Sequence, residues 1–216
     1  MLAILDYGAG NITSVRLAIE SLGCAARITS DPEDVRAADH VIFPGVGAAA
    51  YAMTNLESSG LRPVIGEVVA RGTPFLGICL GTQILFESSE EDGGTRCLGL
   101  IPGGCVRFRP ADPRVKVPHM GWNQVAQSRP HPLFAGIPDN SDFYFVHSFH
   151  TVPADGNVVI GRTDYAGISF VSAVARRNLA ATQFHPEKSG PVGMRLLRNF
   201  LAWDGSDPAA KEESPC

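Results

Sequence analysis

From the N-terminus to about residue 78, short apolar runs alternate with longer stretches whose apolar residues recur every three or four positions. The runs at 2–6, 25–29, 40–44 and 75–78 have strand length, and the stretches between them read as helices. In 11–22, Ile12, Val15, Ile19 and Leu22 share one helical face; Asn11 or Thr13 can cap its start, and Gly23 ends it. Residues 30–38, with Pro32, hold a turn or one helical turn, and 48–58 and 61–71 are further helices. Such alternation predicts a parallel α/β sheet, in which ligands bind beyond the carboxyl ends of the strands.

Beyond residue 97 the pattern changes. The stretches 106–109, 115–118, 122–126, 142–146, 158–162 and 169–175 are short, rich in β-branched or aromatic residues, and divided by proline and glycine. They predict an antiparallel, meander-like section packed on the α/β core. A last strand at 179–184 and a helix at 190–203 follow, the helix offering Val192, Leu196, Leu197 and Phe200 for packing. The acidic stretch SSEEDGGT (88–95) reads as a solvated loop, and DGSDPAAKEESPC (204–216) as a disordered tail. The expected organisation is one domain over 1–203 followed by that tail.

Composition narrows the function classes. Of 216 residues, 44% are hydrophobic and 19% charged, as in ordinary globular proteins, and the net charge is −4 at pH 7. Without a basic block, nucleic acid and an anionic membrane surface are not expected partners. No apolar run reaches the length of a membrane span, and MLAILDYGAG lacks a basic signal-peptide start, so a cytoplasmic location is expected. The five cysteines are irregularly spaced with no C-x-x-C, which argues against a disulfide framework or a zinc site. Gly8-Ala9-Gly10 lacks the third glycine of a dinucleotide fingerprint. His147 and His150, three apart on a strand, would not converge on a metal. Neither cofactor nor metal is therefore expected.

The chemistry concentrates in TPFLGICLGTQ (73–83). A cysteine among apolar residues is ordinarily a core cysteine. Here Gly77-Ile78-Cys79-Leu80-Gly81 has the form of a nucleophile elbow with Cys79 in the serine's place, the flanking glycines allowing a sharp strand-to-helix turn. A helix expected over 82–87 would favour the thiolate through its N-terminal partial charge. A base is supplied by Phe184-His185-Pro186-Glu187, which also follows a strand. Glu187 can turn back on the His185 imidazole, orient it and favour its protonated form, giving a thiolate–imidazolium pair with Cys79. The loop Pro44-Gly45-Val46-Gly47, at another strand end, can form an oxyanion hole. For that, the Gly45–Val46 peptide must aim its N–H at Cys79. Because β-branched Val46 resists unusual φ values, the resting loop is expected to present a carbonyl instead.

The elbow together with His185-Pro186-Glu187 resembles the class I (triad) glutamine amidotransferases. PGVG (44–47), PHMGWN (118–123), YFVHS (144–148) and HPEKS (185–189) resemble one branch, the glutaminase subunits of imidazole glycerol phosphate synthase, over residues 2–202. The resemblance implies a flavodoxin-like mixed central sheet flanked by helices, with a smaller antiparallel sheet. It implies Cys79 as nucleophile, His185 as base and acid, and Glu187 as orienting carboxylate, with oxyanion N–H groups from Val46 and Leu80. Gly47, Gln83, Glu91, Ser148 and Phe149 would bind glutamine. Asn11, Met120, Trp122, Tyr144 and Lys188 would meet a (β/α)8-barrel cyclase subunit in a heterodimer, to which the ammonia passes. Ala50, Thr82 and His150 depart from the pattern, outside the triad. A non-catalytic regulatory subunit would have no reason to keep Cys79, His185 and Glu187, and a peptidase would not account for PHMGWN. Another class I amidotransferase is the nearer alternative.

Overall fold

A computed structural model describes residues 1–8, 10–112 and 114–207. In chain order the elements are β1 (Leu2–Leu5), α1 (Ile12–Ser21), β2 (Ala26–Thr29), α2 (Pro32–Arg36), β3 (His40–Phe43), α3 (Ala49–Ser58), α4 (Leu61–Ala70), β4 (Phe75–Ile78) and α5 (Leu80–Gln83). There follow β5 (Ser88–Ser89), β6 (Thr95–Arg96), β7 (Gly103–Arg107), β8 (His119–Gln127), β9 (Ser141–His147), β10 (Phe149–Pro153), β11 (Val159–Tyr165), β12 (Ile168–Arg176), β13 (Leu179–Thr182) and α6 (Gly190–Ala202).

The parallel half of the sheet runs β2-β1-β3-β4-β13, the strand order of flavodoxin-like folds. Every residue of β1, β4 and β13 is buried, as expected for strands covered on both faces. Alternate residues feed two cores. Ala3, Leu5, Val41, Phe43 and Phe75 pack with α3 and α4 through Leu56, Leu61, Val64 and Ile65. Leu2, Ile4, Ile42, Leu76 and Ile78 pack with α1 and α6 through Val15, Ile19, Leu196, Leu197 and Phe200.

The antiparallel half continues this sheet. β12 pairs with β13 and leads on through β10, β7, β5 and β6, while β11 branches from β12 to the β8–β9 ribbon. The section is thus joined to the parallel half edge to edge, giving the expected mixed central sheet with a smaller antiparallel ribbon. Strand ends moved: 115–118 is irregular loop, and β10 was not foreseen because His147-Ser148-Phe149 divides two strands without a glycine or proline. The helix after Cys79 starts two residues earlier than expected and is a single turn. The stretch 88–95 is not wholly solvated loop, since it includes β5, a 3-10 turn and the start of β6, with Ser89 buried.

The chain does not become disordered at residue 204. Trp203 Nε1 donates to the Ser206 carbonyl (2.7 Å), and Arg129 makes two hydrogen bonds of 2.9 Å to Asp207, whose side chain is 3% exposed. The rest of the expected tail, with Cys216, lies outside the described residues. No helix among the described residues is long and apolar enough to cross a membrane.

Candidate active site

Parallel pairing of β4 with β13, ending at Ile78 opposite Thr182, sets the loops that carry Cys79 and His185 side by side. The loops after β1 and β3 leave the same edge of the sheet. Cys79 is held at φ 55°, ψ −107°, a strained conformation for a side-chain-bearing residue, and its N–H donates to the Thr182 carbonyl at 2.8 Å. The flanking glycines answer to close contacts, and the positive φ of the turn falls on Cys79 itself. A Cβ on Gly81 would lie 1.9 Å from the Phe43 carbonyl oxygen, and one on Gly77 2.8 Å from Leu85 Cδ1. The Cys79 thiol is 5% exposed; Gln183 Nε2 stands 3.7 Å from Sγ and the Val146 carbonyl oxygen 3.9 Å.

His185 is held from every side. Its backbone N–H donates to the Tyr144 carbonyl (2.9 Å), and its own carbonyl accepts from Ser189 Oγ (2.6 Å). Nδ1 bonds Glu187 Oε1 at 2.8 Å, and both side chains are wholly buried. Burial disfavours the charged ring, but the neighbouring Cys79 and Glu187 outweigh it and raise the imidazole to about 10. Among the described residues Nε2 has no hydrogen-bond partner, and Cys79 is one of the groups that raise the ring.

Asn11 takes an unexpected place. It precedes α1 in a left-handed conformation (φ 74°) and its side chain caps nothing. Instead Nδ2 donates to Glu187 Oε1 at 2.6 Å and lies 3.3 Å from His185 Nδ1. Neither Asn11 nor Thr13 caps the helix.

The two N–H groups expected to hold the oxyanion are not both free. The Leu80 N–H donates to the Gly45 carbonyl at 3.2 Å, so the Gly45–Val46 peptide turns its oxygen, not its N–H, toward the elbow. This is the resting arrangement expected from the loop's composition. A Cβ on Gly45 would meet Tyr7 Oη at 2.0 Å, and that hydroxyl donates to the Pro44 carbonyl (2.8 Å), which ties the loop to the core.

A cleft of about 260 Å³ opens over Cys79, lined by Val46, Gly47, Leu80, Gln83, Glu91, Pro118, Val146, His147, Ser148 and Phe149. All the residues expected to bind glutamine therefore share one cavity. Glu91 Oε2 accepts the Ala49 N–H (2.6 Å), and burial pushes its carboxyl up. Gln83 Nε2 donates to the Phe149 carbonyl and to Gln183 Oε1, each at 3.2 Å. Gln183 was not singled out by sequence, although it precedes the His185 motif by two residues. Beside the cleft, Met120 and Trp122 are 64% and 57% exposed. Trp122 faces Tyr144 across the β8–β9 ladder with ring centres 6.1 Å apart, and Lys188 Nζ lies 6.0 Å from the Tyr144 ring. Of the departures, Thr82 donates its hydroxyl to the Thr182 carbonyl (2.7 Å) and His150 packs against Phe108 at 4.6 Å; nothing in the structure explains Ala50.

The fold resembles that of a protein described as a glutamine amidotransferase (TM-score 0.73, 18% identity, 94% of this chain and 98% of that one). It also resembles PurLQS from Thermotoga maritima (TM-score 0.71, 18% identity, 93% and 97%). In sequence the chain is 51% identical to the imidazole glycerol phosphate synthase subunit HisH of Dehalococcoides mccartyi strain CBDB1 over 93% of this chain and 96% of that one. It is 52% identical to the HisH subunit of Nitrosococcus oceani over 94% and 97%. The family model for glutamine amidotransferase class-I matches residues 3–203. The chain belongs to the class-I glutamine amidotransferases.

Proposed function

We infer that the chain is the glutaminase subunit of an imidazole glycerol phosphate synthase, working through Cys79, His185 and Glu187. The observation that carries the reading is the buried His185–Glu187 pair set beside a strained cysteine beneath a polar cleft. The thiolate attacks the side-chain carboxamide carbon of glutamine. The C–N bond breaks, His185 gives its proton to the leaving nitrogen, and ammonia departs. A water that returns a proton to His185 then hydrolyses the γ-glutamyl thioester to glutamate. Glu187 holds the ring through Nδ1, so Nε2 carries the proton transfers.

Glu91 suits the substrate ammonium, and Gly47, Gln83 and the Ser148–Phe149 wall suit its carboxylate and amide ends. The oxyanion needs the N–H groups of Leu80 and Val46, which the loop offers once the Gly45–Val46 peptide has turned over. Residues 1–203 would form the amidotransferase domain. The face bearing Met120, Trp122, Tyr144 and Lys188, with Asn11 at its margin, would dock a (β/α)8-barrel cyclase. There the ammonia would convert PRFAR to imidazole glycerol phosphate and AICAR. Cytoplasmic placement accords with the free thiols Cys24, Cys79, Cys97 and Cys105.

The decisive experiment is Cys79→Ser. Glutamine-dependent synthesis by the complex should vanish, whereas synthesis supplied with free ammonia should stay near the wild-type rate. Glutamate release near the wild-type rate from the variant would overturn the mechanism.

A further inference from the structure

Two buried histidines outside the triad face each other across the β8–β9 ladder, His119 opposite His147. Their hydrogen bonds form a chain whose direction is set at both ends. At one end Asn123 Oδ1 accepts the Gln124 N–H (2.8 Å), which fixes the amide so that Nδ2 donates, to the Asp164 carbonyl (2.9 Å) and to His119 Nε2 (3.3 Å). Next, His119 Nδ1 lies 3.1 Å from His147 Nε2. At the other end His147 Nδ1 lies 2.7 Å from the Phe149 carbonyl, which can only accept. One assignment satisfies every contact: both rings neutral, both protonated on Nδ1. A proton on His119 Nε2 or His147 Nε2 would set donor against donor. Burial supports this, pushing His119 down to about 4 and His147 to about 3.

The chain ends where substrate would sit. Phe149 and Ser148 line the cleft, and the Phe149 carbonyl also takes the Gln83 amide. Two imidazoles inside an aromatic cluster, His119 stacked on Tyr165 at 4.0 Å and on Phe145 at 4.8 Å, cost desolvation that apolar side chains of the same size would avoid. We propose that His119 and His147 are positioning residues for glutamine: their one-way hydrogen-bond chain holds the Ser148–Phe149 wall and, through its carbonyl, the Gln83 side chain in binding geometry. The proposal rests on the glutaminase reading above. It assigns the two rings to substrate binding, not to proton transfer.

The test is steady-state glutamate release by the chain in complex with its cyclase subunit, for wild type, His147→Leu, His147→Asn and His119→Leu. Loss of one buried hydrogen bond that orders the cleft should raise the glutamine KM about tenfold in His147→Leu. The kcat should stay within about twofold, because the triad is untouched. His147→Asn, whose amide can still donate to the Phe149 carbonyl, should recover most of the affinity. An unchanged KM, a loss in kcat alone, or equal impairment of the leucine and asparagine variants would overturn the proposal. Should His147→Leu not fold, His119→Leu carries the same prediction in weaker form, and an unchanged KM there is equally fatal. Nitrogen-15 NMR of the wild-type chain gives a reading free of any variant. Both rings should be neutral Nδ1–H tautomers at pH 7, opposite to the form that free histidine prefers, and an Nε2–H ring at either position would refute the chain. Failure of the glutaminase reading is separately visible, as absence of glutamate release by the wild type.

Discussion

At the scale of the residue, the site is a set of positions with little freedom. Gly81 has no room for a Cβ beside the Phe43 carbonyl, and Cys79 keeps a positive φ that few residues tolerate. The His185 side chain is wholly buried, yet its value is raised to about 10 because Cys79 and Glu187 outweigh the burial that opposes charge. The sign of the pH dependence follows. A group whose folded value lies above its unfolded 6.5 contributes its full stabilisation below pH 6.5 and loses it as pH climbs toward 10. Cys79→Ala removes the larger attraction, so its melting temperature should decline less steeply than that of the wild type between pH 6.5 and 10. Parallel curves for the two proteins would mean that the thiolate does not hold the imidazolium.

At the scale of the element, the loop after β3 sets the resting state. With the Gly45 carbonyl on the Leu80 N–H, one of the two proposed oxyanion donors is occupied and the Gly45–Val46 peptide turns its oxygen toward the elbow. A missing donor typically costs about 10²–10³ in rate, so the chain alone should hydrolyse glutamine slowly until its partner favours the turned peptide. Val46→Gly removes the β-branched resistance to that turn. Basal glutamate release should rise and the activation by partner and ligand shrink; an isolated wild-type chain already as fast as the complex would dismiss the gate. The β8–β9 ribbon has a different task. Its inner face buries His119 and Phe145, while Met120 and Trp122 project outward beside Lys188. Large aromatic and methionine side chains in that setting suit the centre of an interface. Trp122→Ala should weaken complex formation by about 1–3 kcal/mol without unfolding the chain, and calorimetry showing unchanged affinity would refute the assignment.

At the scale of the whole molecule, the sheet order assembles the site. β4 and β13 are neighbours although they lie far apart in the chain, and their parallel pairing carries Cys79 and His185 to the same edge. After α6 the chain returns to the half-buried Arg129 through the buried Asp207 carboxylate. Asp207→Ala would leave that guanidinium without its bidentate partner and should cost about 2–3 kcal/mol, read as a lower midpoint in urea. A midpoint unchanged from the wild type would mean that the returning segment adds nothing to the fold.

What the sequence determined by itself was local or carried by short motifs. The strands β1 and β4 were legible as unbroken apolar runs, because burial on both faces leaves no alternation to confuse them. The elbow was legible because close packing around Cys79 leaves no room for a Cβ at Gly77 or Gly81, so a glycine stands two residues to each side. Glu187 was legible because it is two residues from the ring it orients. The carbonyl-in loop was legible from the stiffness of Val46. What the tertiary structure alone decided involves partners distant in the chain. Asn11 reads as a helix cap until the fold sets Glu187 beside it, and Gln83 meets Gln183 only because α5 lies against β13. His119 and His147 carry no motif as a pair; only the register of β8 against β9 makes them opposite. Asp204–Asp207 is polar enough to read as tail, and it is ordered because Arg129 and the Trp203 indole supply partners that no nearby residue announces. A polar side chain reveals its type in sequence, but the hydrogen bond that gives it a role depends on which strands the fold makes neighbours.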